Sequence, residues 1–181
     1  MRYGIFGGGF NPPHMAHVLG AAYAISRYNL DLLFVSPCWD HPFEDKEPTV
    51  DWEHRAEMCR LAFSSIKGAR VPLWEREIQP QYTVDLLELI LPTLPGVPHL
   101  ILGSDNIADQ SKWRRWDDVL KLVQGNLITL PRGTGLLPNI SSSMIRYCIS
   151  IMDPDKPIPP PMFQLVPAKV LEYIRKHNLY V

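Results

Sequence analysis

Two spacings of apolar residues alternate along this chain. Short apolar runs, typical of buried strands, occur at residues 2–6, 31–36, 69–73, 99–103 and 126–130. Apolar residues recur at helical spacing in the stretches between and after them, at 14–28, from Asp51 onward, and at 83–91, 111–123 and 141–150. Because strands and helices alternate five times, we predict an α/β fold. Its sheet would have five to six strands, mostly parallel, with helices on both faces.

The proline-rich segments do not divide the chain into parts large enough to fold alone. Residues 153–161 contain five prolines and are predicted to form a surface loop. A last helix is expected over 167–177, beginning at a proline, which the first helical position tolerates well. We therefore expect residues 1–181 to form a single domain, with helix 167–177 packed on it.

The first strand leads into a glycine-rich segment, Gly7 to Pro13, that opens the first predicted helix. Glycine after a strand allows positive φ and a close approach of the backbone to a ligand. The helix start offers free N–H groups to an anion. His14 and His17 lie three positions apart, so they share one face there and would meet the same anion. Asn11 can fix the turn through its amide.

This segment is therefore predicted to bind phosphate, but it matches neither of two common glycine motifs. The chain lacks GxxxxGK[ST], and residues 4–9 do not reproduce GxGxxG. Polar segments at 7–14, 36–46 and 103–106 each follow a predicted strand. Since ligands in open α/β sheets bind outside the carboxyl ends of the strands, we expect these segments to line one shared cleft.

Composition restricts the classes of function. The chain has 181 residues and a formal net charge of -1, so no overall basic field favours a nucleic acid polymer as partner. Cys38, Cys59 and Cys148 are scattered, which argues against a disulfide framework or a structural zinc site. Neither a signal-peptide pattern nor a long apolar run is seen, so we expect no membrane association and a reducing, cytoplasmic setting.

The segment Gly7 to His17 resembles the GxFNPxHxxH signature of the nicotinate/nicotinamide mononucleotide adenylyltransferases, a family of the HxGH nucleotidyltransferase superfamily. Ile140 to Arg146 resembles the second signature of this family, ISSTxIR, with Ser143 in place of threonine. Hydroxyls at a helix start can cap it and bond phosphate oxygens, and Arg146 can clamp the same phosphates. The resemblance extends from residue 2 to residue 177 and implies a Rossmann-like fold. Ala16 replaces the glycine of HxGH, so we expect slight crowding of the site.

The resemblance also implies which residues bind each substrate. The ATP site would be formed by Gly7, Gly8, Gly9, Phe10, His14, His17, Lys46, Ser141, Ser142, Ser143 and Arg146. The mononucleotide would contact Asn11, Thr83, Asp105 and Trp113, with Trp113 stacking on the pyridine ring. Lys46 as a solvated loop charge and Trp113 as a core residue remain alternatives. Leu86 replaces the second threonine of the YTxDT turn of the family.

The implied reaction transfers AMP from ATP to the 5′-phosphate of nicotinate or nicotinamide mononucleotide, and it releases pyrophosphate, as a step of NAD biosynthesis. The nucleophile is already an anion, so no general base is required. His14, His17 and Arg146 are expected to act as the catalytic groups by alignment and charge neutralisation. We expect Mg²⁺ to be held mainly by the ATP phosphates, without a metal site made of protein side chains.

Two rival interpretations remain open from the sequence. One is another HxGH transferase, such as a phosphopantetheine adenylyltransferase or a cytidylyltransferase. The other is a nucleotide-binding regulatory module without turnover. The segment around Trp113 and the similarity of residues 165–174 to LVPxxVxxYI favour the pyridine enzyme. The sequence does not choose between nicotinate and nicotinamide. The sequence is compatible with an oligomer. The segment 131–140 is shorter than in the family, so the contacts of such an oligomer cannot be carried over from the family.

Overall fold

A computed structural model describes residues 1–40, 50–108, 110–131 and 137–181, and the side chains of residues 105, 108 and 110 lie outside the description. Within these ranges, no helix combines the length and the apolar character needed to cross a membrane.

A five-stranded sheet runs through the described chain, and every pair of neighbouring strands is parallel. The strands are β1 (Arg2–Gly8), β2 (Leu32–Pro37), β3 (Ala69–Arg70), β4 (Val97–Gly103) and β5 (Leu127–Leu130). Their spatial order is β3-β2-β1-β4-β5, which confirms the predicted α/β fold. The chain first winds from β1 toward β3 and then continues on the other side of β1. This change of direction is the point at which such sheets bind ligands.

Helices connect and follow these strands. They are α1 (Met15–Tyr28), α2 (Trp52–Ala62), α3 (Trp74–Ile78), α4 (Thr83–Ile90), α5 (Ser104–Ala108), α6 (Trp116–Leu122), α7 (Ser142–Ser150), α8 (Met162–Leu165) and α9 (Ala168–Lys176). Short 3₁₀ turns lie at Leu91–Thr93 and Gln110–Lys112.

Two buried clusters cover the two faces of the sheet, as the alternation of side chains along β1 requires. Phe6 belongs to one cluster, together with residues of α1, α2, α7 and α9. Ile5 points to the other face and belongs to the second cluster, with residues of α4 and α6. The C-terminal helix α9 buries Val170, Leu171 and Ile174 in the first cluster, so it packs on the same face as α1.

The close packing of α1 on the sheet depends on small side chains. Gly20, Ala21 and Ala24 are its buried residues, whereas Leu19 is 42% exposed. A Cβ at Gly20 would lie 2.8 Å from a methyl carbon of Leu130 in β5, a distance that nonbonded carbon atoms do not tolerate. A glycine at position 20 therefore allows α1 to pack closely against β5.

Three local predictions were wrong. The segment 103–106 is not only a polar turn, because α5 begins at Ser104. The helix predicted over 111–123 begins only at Trp116, since Arg115 adopts a φ of 52° and interrupts the path after the 3₁₀ turn. The third strand ends at Arg70, and the unpredicted helix α3 follows it. Trp113 therefore lies in a connection rather than on a helix.

Candidate active site

A cleft opens at the carboxyl ends of the strands, and its lining combines segments from both ends of the chain. The sequence-predicted residues that line it are Gly7, Gly8, Gly9, Phe10, Asn11, His14, His17, Thr83, Trp113, Ser141, Ser142, Ser143 and Arg146. Lys46 lies outside the described residues, as does the side chain of Asp105 in α5. Apart from these two, the structure brings all predicted site residues to one place.

The glycines at 7–9 do not adopt the positive φ that the sequence predicted for them. Gly7 and Gly8 are the last residues of β1, and none of the glycines at 7–9 has positive φ; the left-handed residue is Phe10, with φ 46°. A Cβ built on Gly7 would meet no atom within 4 Å. Since Gly7 lines the cleft, the missing side chain leaves room there for a ligand.

The two histidines form a stacked pair at the start of α1. Their ring centroids are 3.7 Å apart and the rings are inclined by 23°. The backbone N–H of His14 donates to Nδ1 of His17 at 3.2 Å. Because Nδ1 accepts this bond, the neutral His17 imidazole carries its proton on Nε2 and acts as a donor there. The Phe10 ring packs edge-on against His17 at 4.9 Å and holds the imidazole in place.

The start of α7 is bonded to the backbone of the glycine-rich segment. The Ser142 hydroxyl donates to the Pro12 carbonyl at 2.8 Å, and Nη1 of Arg146 donates to the Asn11 carbonyl at 2.8 Å. The Ser141 hydroxyl accepts from the N–H of Met144 and caps the helix. The proton of Ser142 is therefore already engaged. We infer that this helix start would bind phosphate through backbone N–H groups and Arg146.

A contact from the far end of the chain orients Asn11. The hydroxyl of Tyr180 donates to Oδ1 of Asn11 at 2.8 Å. Since this bond uses the carbonyl oxygen of the amide, the donor nitrogen is directed away from Tyr180. Asn11 itself is 6% exposed and lines the cleft. The sequence shows nothing of this contact, because the two residues are 169 positions apart.

We predict that Tyr180→Phe will lower kcat/KM about fivefold to tenfold and destabilise the fold by about 1–2 kcal/mol, because the buried Asn11 oxygen loses the hydrogen bond from the Tyr180 hydroxyl. Steady-state kinetics and thermal unfolding measure the two effects. Tyr147→Phe is the matched control, since Tyr147 is 66% exposed and outside the cleft lining. Equal kinetics for the Tyr180 variant and the wild type would show that Asn11 needs no such orientation.

The opposite wall of the cleft comes from the second buried cluster. Thr83 begins α4, and Asp85 accepts a hydrogen bond from the backbone N–H of Tyr82, which makes it a capping residue. Leu86 is 3% exposed and packs in the core, which explains an apolar residue there. Trp113 packs edge-on against Trp116 with ring centroids 5.3 Å apart.

Two features of this wall were missed by the sequence analysis. Lys112 and Arg114 also line the cleft, and the Arg114 guanidinium lies 5.2 Å from the ring centroid of Tyr82. The indole N–H of Trp113 is buried without a hydrogen-bond partner among the described residues. Cations within such a cleft favour anionic ligands.

Comparisons with known proteins agree with this geometry. Residues 5–147 match the cytidylyltransferase-like family. A protein of Streptococcus mutans named probable nicotinate-nucleotide adenylyltransferase is 34% identical over 192 residues, covering 99% of this chain and 88% of its own length. One of Anaeromyxobacter dehalogenans with the same name is also 34% identical, over 97% of this chain and 95% of its own.

The chain belongs to the nicotinate-nucleotide adenylyltransferase family. A solved structure agrees in fold: the nicotinic acid mononucleotide adenylyltransferase of Plasmodium falciparum, complexed with NaAD. It superimposes with a TM-score of 0.72 at 21% identity, covering 99% of this chain and 97% of that one.

One position of this adenylyltransferase family member departs from the HxGH motif. Ala16 lies in the first turn of α1, lines the cleft and packs partly on the core. We predict that Ala16→Gly will tighten ATP binding about threefold to tenfold, because one methyl group leaves the cleft, while the fold loses about 0.5–1 kcal/mol.

Isothermal titration with ATP measures the effect of Ala16→Gly. The exposed Ala22 of the same helix provides the control, since Ala22→Gly should reduce stability similarly without changing ATP affinity. Unchanged or weaker ATP binding by Ala16→Gly would rule out crowding at this position.

The described lining of the cleft presents several hydrogen-bond donors and cations that suit an anion. Among the described residues, no group of three or more His, Cys, Asp or Glu side chains is placed to hold a metal ion. The imidazole, guanidinium and backbone N–H groups fit a triphosphate. We infer that Mg²⁺ would bind together with ATP, held mainly by the phosphates and water.

Proposed function

We propose that this protein transfers AMP from ATP to nicotinate mononucleotide, forming the dinucleotide and pyrophosphate in NAD biosynthesis. The supporting observation is that the predicted binding residues of the two substrates line opposite walls of one cleft. His14, His17 and Arg146 belong to the wall formed by α1 and α7. Thr83 and Trp113 belong to the opposite wall, packed on the other face of the sheet. Such an arrangement suits two substrates that meet above β1.

In the proposed reaction, an oxygen of the mononucleotide phosphate attacks the α-phosphorus of ATP, and the bond from this phosphorus to pyrophosphate breaks. The Nε2–H of His17 and the guanidinium of Arg146 would bind the departing phosphates and offset their charge. Donors of this kind stabilise charge in the transition state and need not transfer protons. Mg²⁺, when bound with ATP, supplies further charge neutralisation.

The preference for nicotinate over nicotinamide is part of this proposal. The ring substituent of nicotinate mononucleotide is a carboxylate, whereas that of nicotinamide mononucleotide is a neutral carboxamide. Lys112 and Arg114 line the cleft beside Trp113, and these cations favour the carboxylate. The names of the two bacterial relatives also support nicotinate. The cytoplasmic setting and the single domain are predictions from the sequence alone. The oligomeric state stays open.

Pyrophosphate release tests the proposal and separates it from its rivals. The purified protein is supplied with ATP and Mg²⁺ and, in turn, with nicotinate mononucleotide, nicotinamide mononucleotide or phosphopantetheine. We expect kcat/KM to be at least about tenfold higher for nicotinate than for nicotinamide mononucleotide, since one charge pair separates them. Turnover with phosphopantetheine alone would favour the other transferase class. ATP binding without turnover on any acceptor would favour the regulatory module.

A further inference from the structure

Glu75 of α3 is a buried carboxyl that the proposed reaction does not use. It is 6% exposed and lines the cleft. One carboxylate oxygen accepts the hydroxyl of Ser36 at 3.2 Å, and the other accepts the backbone N–H of Trp39 at 3.0 Å. A carboxyl is rarely buried unless its hydrogen bonds are satisfied, so these two contacts account for its presence there.

Arg55 of α2, a buried cation, also hydrogen-bonds the backbone next to Trp39. Its guanidinium donates to the carbonyls of Cys38 at 2.7 Å, Trp39 at 3.0 Å and Gly9 at 3.0 Å. Arg55 is 1% exposed, so these bonds are shielded from water. The residue Trp39 thus has its N–H held by Glu75 and its carbonyl held by Arg55.

The segment from Ser36 to Trp39, which we name the 36–39 segment, supports the glycine strand. Ser36 is the register partner of Gly7, and the N–H of Cys38 donates to the Gly8 carbonyl at 2.9 Å. Ser36 and Cys38 also line the cleft. A shift of this segment would therefore move two groups of cleft-lining residues together: Ser36 and Cys38 themselves, and Gly7 and Gly8 at the end of β1.

We propose that Glu75 is a positioning residue, which fixes the 36–39 segment so that the cleft keeps the shape that binds the mononucleotide. The inference rests on the proposed function. Glu75 is placed on the mononucleotide side because its helix α3 contacts α4, the helix that begins at Thr83, and packs with it in the second buried cluster. The carboxylate fits this role because only its two acceptor oxygens satisfy both donors together.

The charge of Glu75 makes this role dependent on pH. Burial raises the pKa of Glu75 to about 7, although the bonds from Trp39 and Ser36 and the charge of Arg55 oppose that rise. Among the described residues on the 36–39 side, the other titratable groups are Asp40 and Cys38, and burial raises the pKa of the Cys38 thiol to about 12, which keeps it neutral. Protonation below pH 7 removes one acceptor, so the hold on the 36–39 segment weakens as pH falls.

Kinetics of Glu75→Gln from about pH 6 to about pH 9 test the inference, because the amide mimics the protonated acid at every pH. At the alkaline end we expect a KM for nicotinate mononucleotide about tenfold above wild type, with kcat changed less than about threefold. The wild-type KM should rise as pH falls through 7, whereas the variant should lack this rise. Glu77→Gln, on the exposed side of α3, should match wild type.

A wild-type pH profile and wild-type KM in Glu75→Gln would overturn the inference. If that variant does not fold, Ser36→Ala provides the test: losing a bond that lowers the pKa of Glu75 should move the KM transition to higher pH. An unmoved transition in Ser36→Ala also overturns it. Failure of the proposed function is distinguishable, since wild type would then release no pyrophosphate with nicotinate mononucleotide at any pH.

Discussion

His17→Ala is expected to lower kcat at least about 100-fold while the protein stays folded, because one lost donor costs on the order of 3 kcal/mol in the transition state. The side chain also accepts the N–H of His14, so its loss should destabilise the start of α1 by about 1 kcal/mol. The rate of pyrophosphate release at saturating substrates measures the first effect. Thermal unfolding measures the second.

Two further variants show whether the donor function of His17 is responsible. His17→Gln retains an amide donor and should recover part of the lost rate. His177→Ala changes an exposed imidazole at the end of α9, outside the cleft lining, and should leave kcat unchanged. Near-normal turnover by His17→Ala would remove His17 from the phosphate clamp.

Arg146→Ala is expected to lower kcat/KM by about 10²–10³-fold, because a cation beside the phosphates is lost. The substitution also removes the donor of the Asn11 carbonyl and the bond from Nη2 to the Ser143 hydroxyl at 3.2 Å. We therefore expect the glycine-rich segment to be less firmly held as well. Both kinetic constants are needed, since a loss confined to KM would indicate ground-state binding alone.

Arg146→Lys separates charge from geometry. Lysine keeps the positive charge but has no planar fork, so it cannot reproduce both bonds of the guanidinium. Its kcat/KM should lie between those of wild type and Arg146→Ala. Arg60→Ala is the control, since Arg60 forms an exposed ion pair with Glu57 outside the cleft lining. Equal activity of Arg146→Ala and Arg60→Ala would contradict the assignment of Arg146.

The sequence could predict the order of elements and the place of the cleft. Apolar runs of strand length alternate with helical spacing, and parallel strands bring all their carboxyl ends to one edge. Segments as distant as Gly7 and Arg146 could therefore be placed together from their motifs. The location of the cleft could be predicted because its polar residues stand next to the boundaries of regular elements, at the end of β1 and the starts of α1 and α7.

Contacts formed only in three dimensions could not be predicted. Glu75 stands in a short polar stretch, where a solvated charge would have the same residue pattern, and its bonds reach across to Ser36. Tyr180 reaches Asn11 from the far end of the chain. The left-handed conformations of Phe10 and Arg115 also have no local signal, because neither residue type favours positive φ. The contacts of Glu75 and Tyr180 and the left-handed φ angles of Phe10 and Arg115 therefore depend on the tertiary structure.

The central claim is that AMP moves from ATP to the mononucleotide within this cleft. The most direct measurement supplies ATP labelled in its α-phosphate together with nicotinate mononucleotide, and quantifies labelled dinucleotide and pyrophosphate. The account predicts one labelled dinucleotide for each pyrophosphate released, with both products nearly absent in His17→Ala. Pyrophosphate without labelled dinucleotide, or release of inorganic phosphate in its place, would contradict adenylyl transfer by this protein.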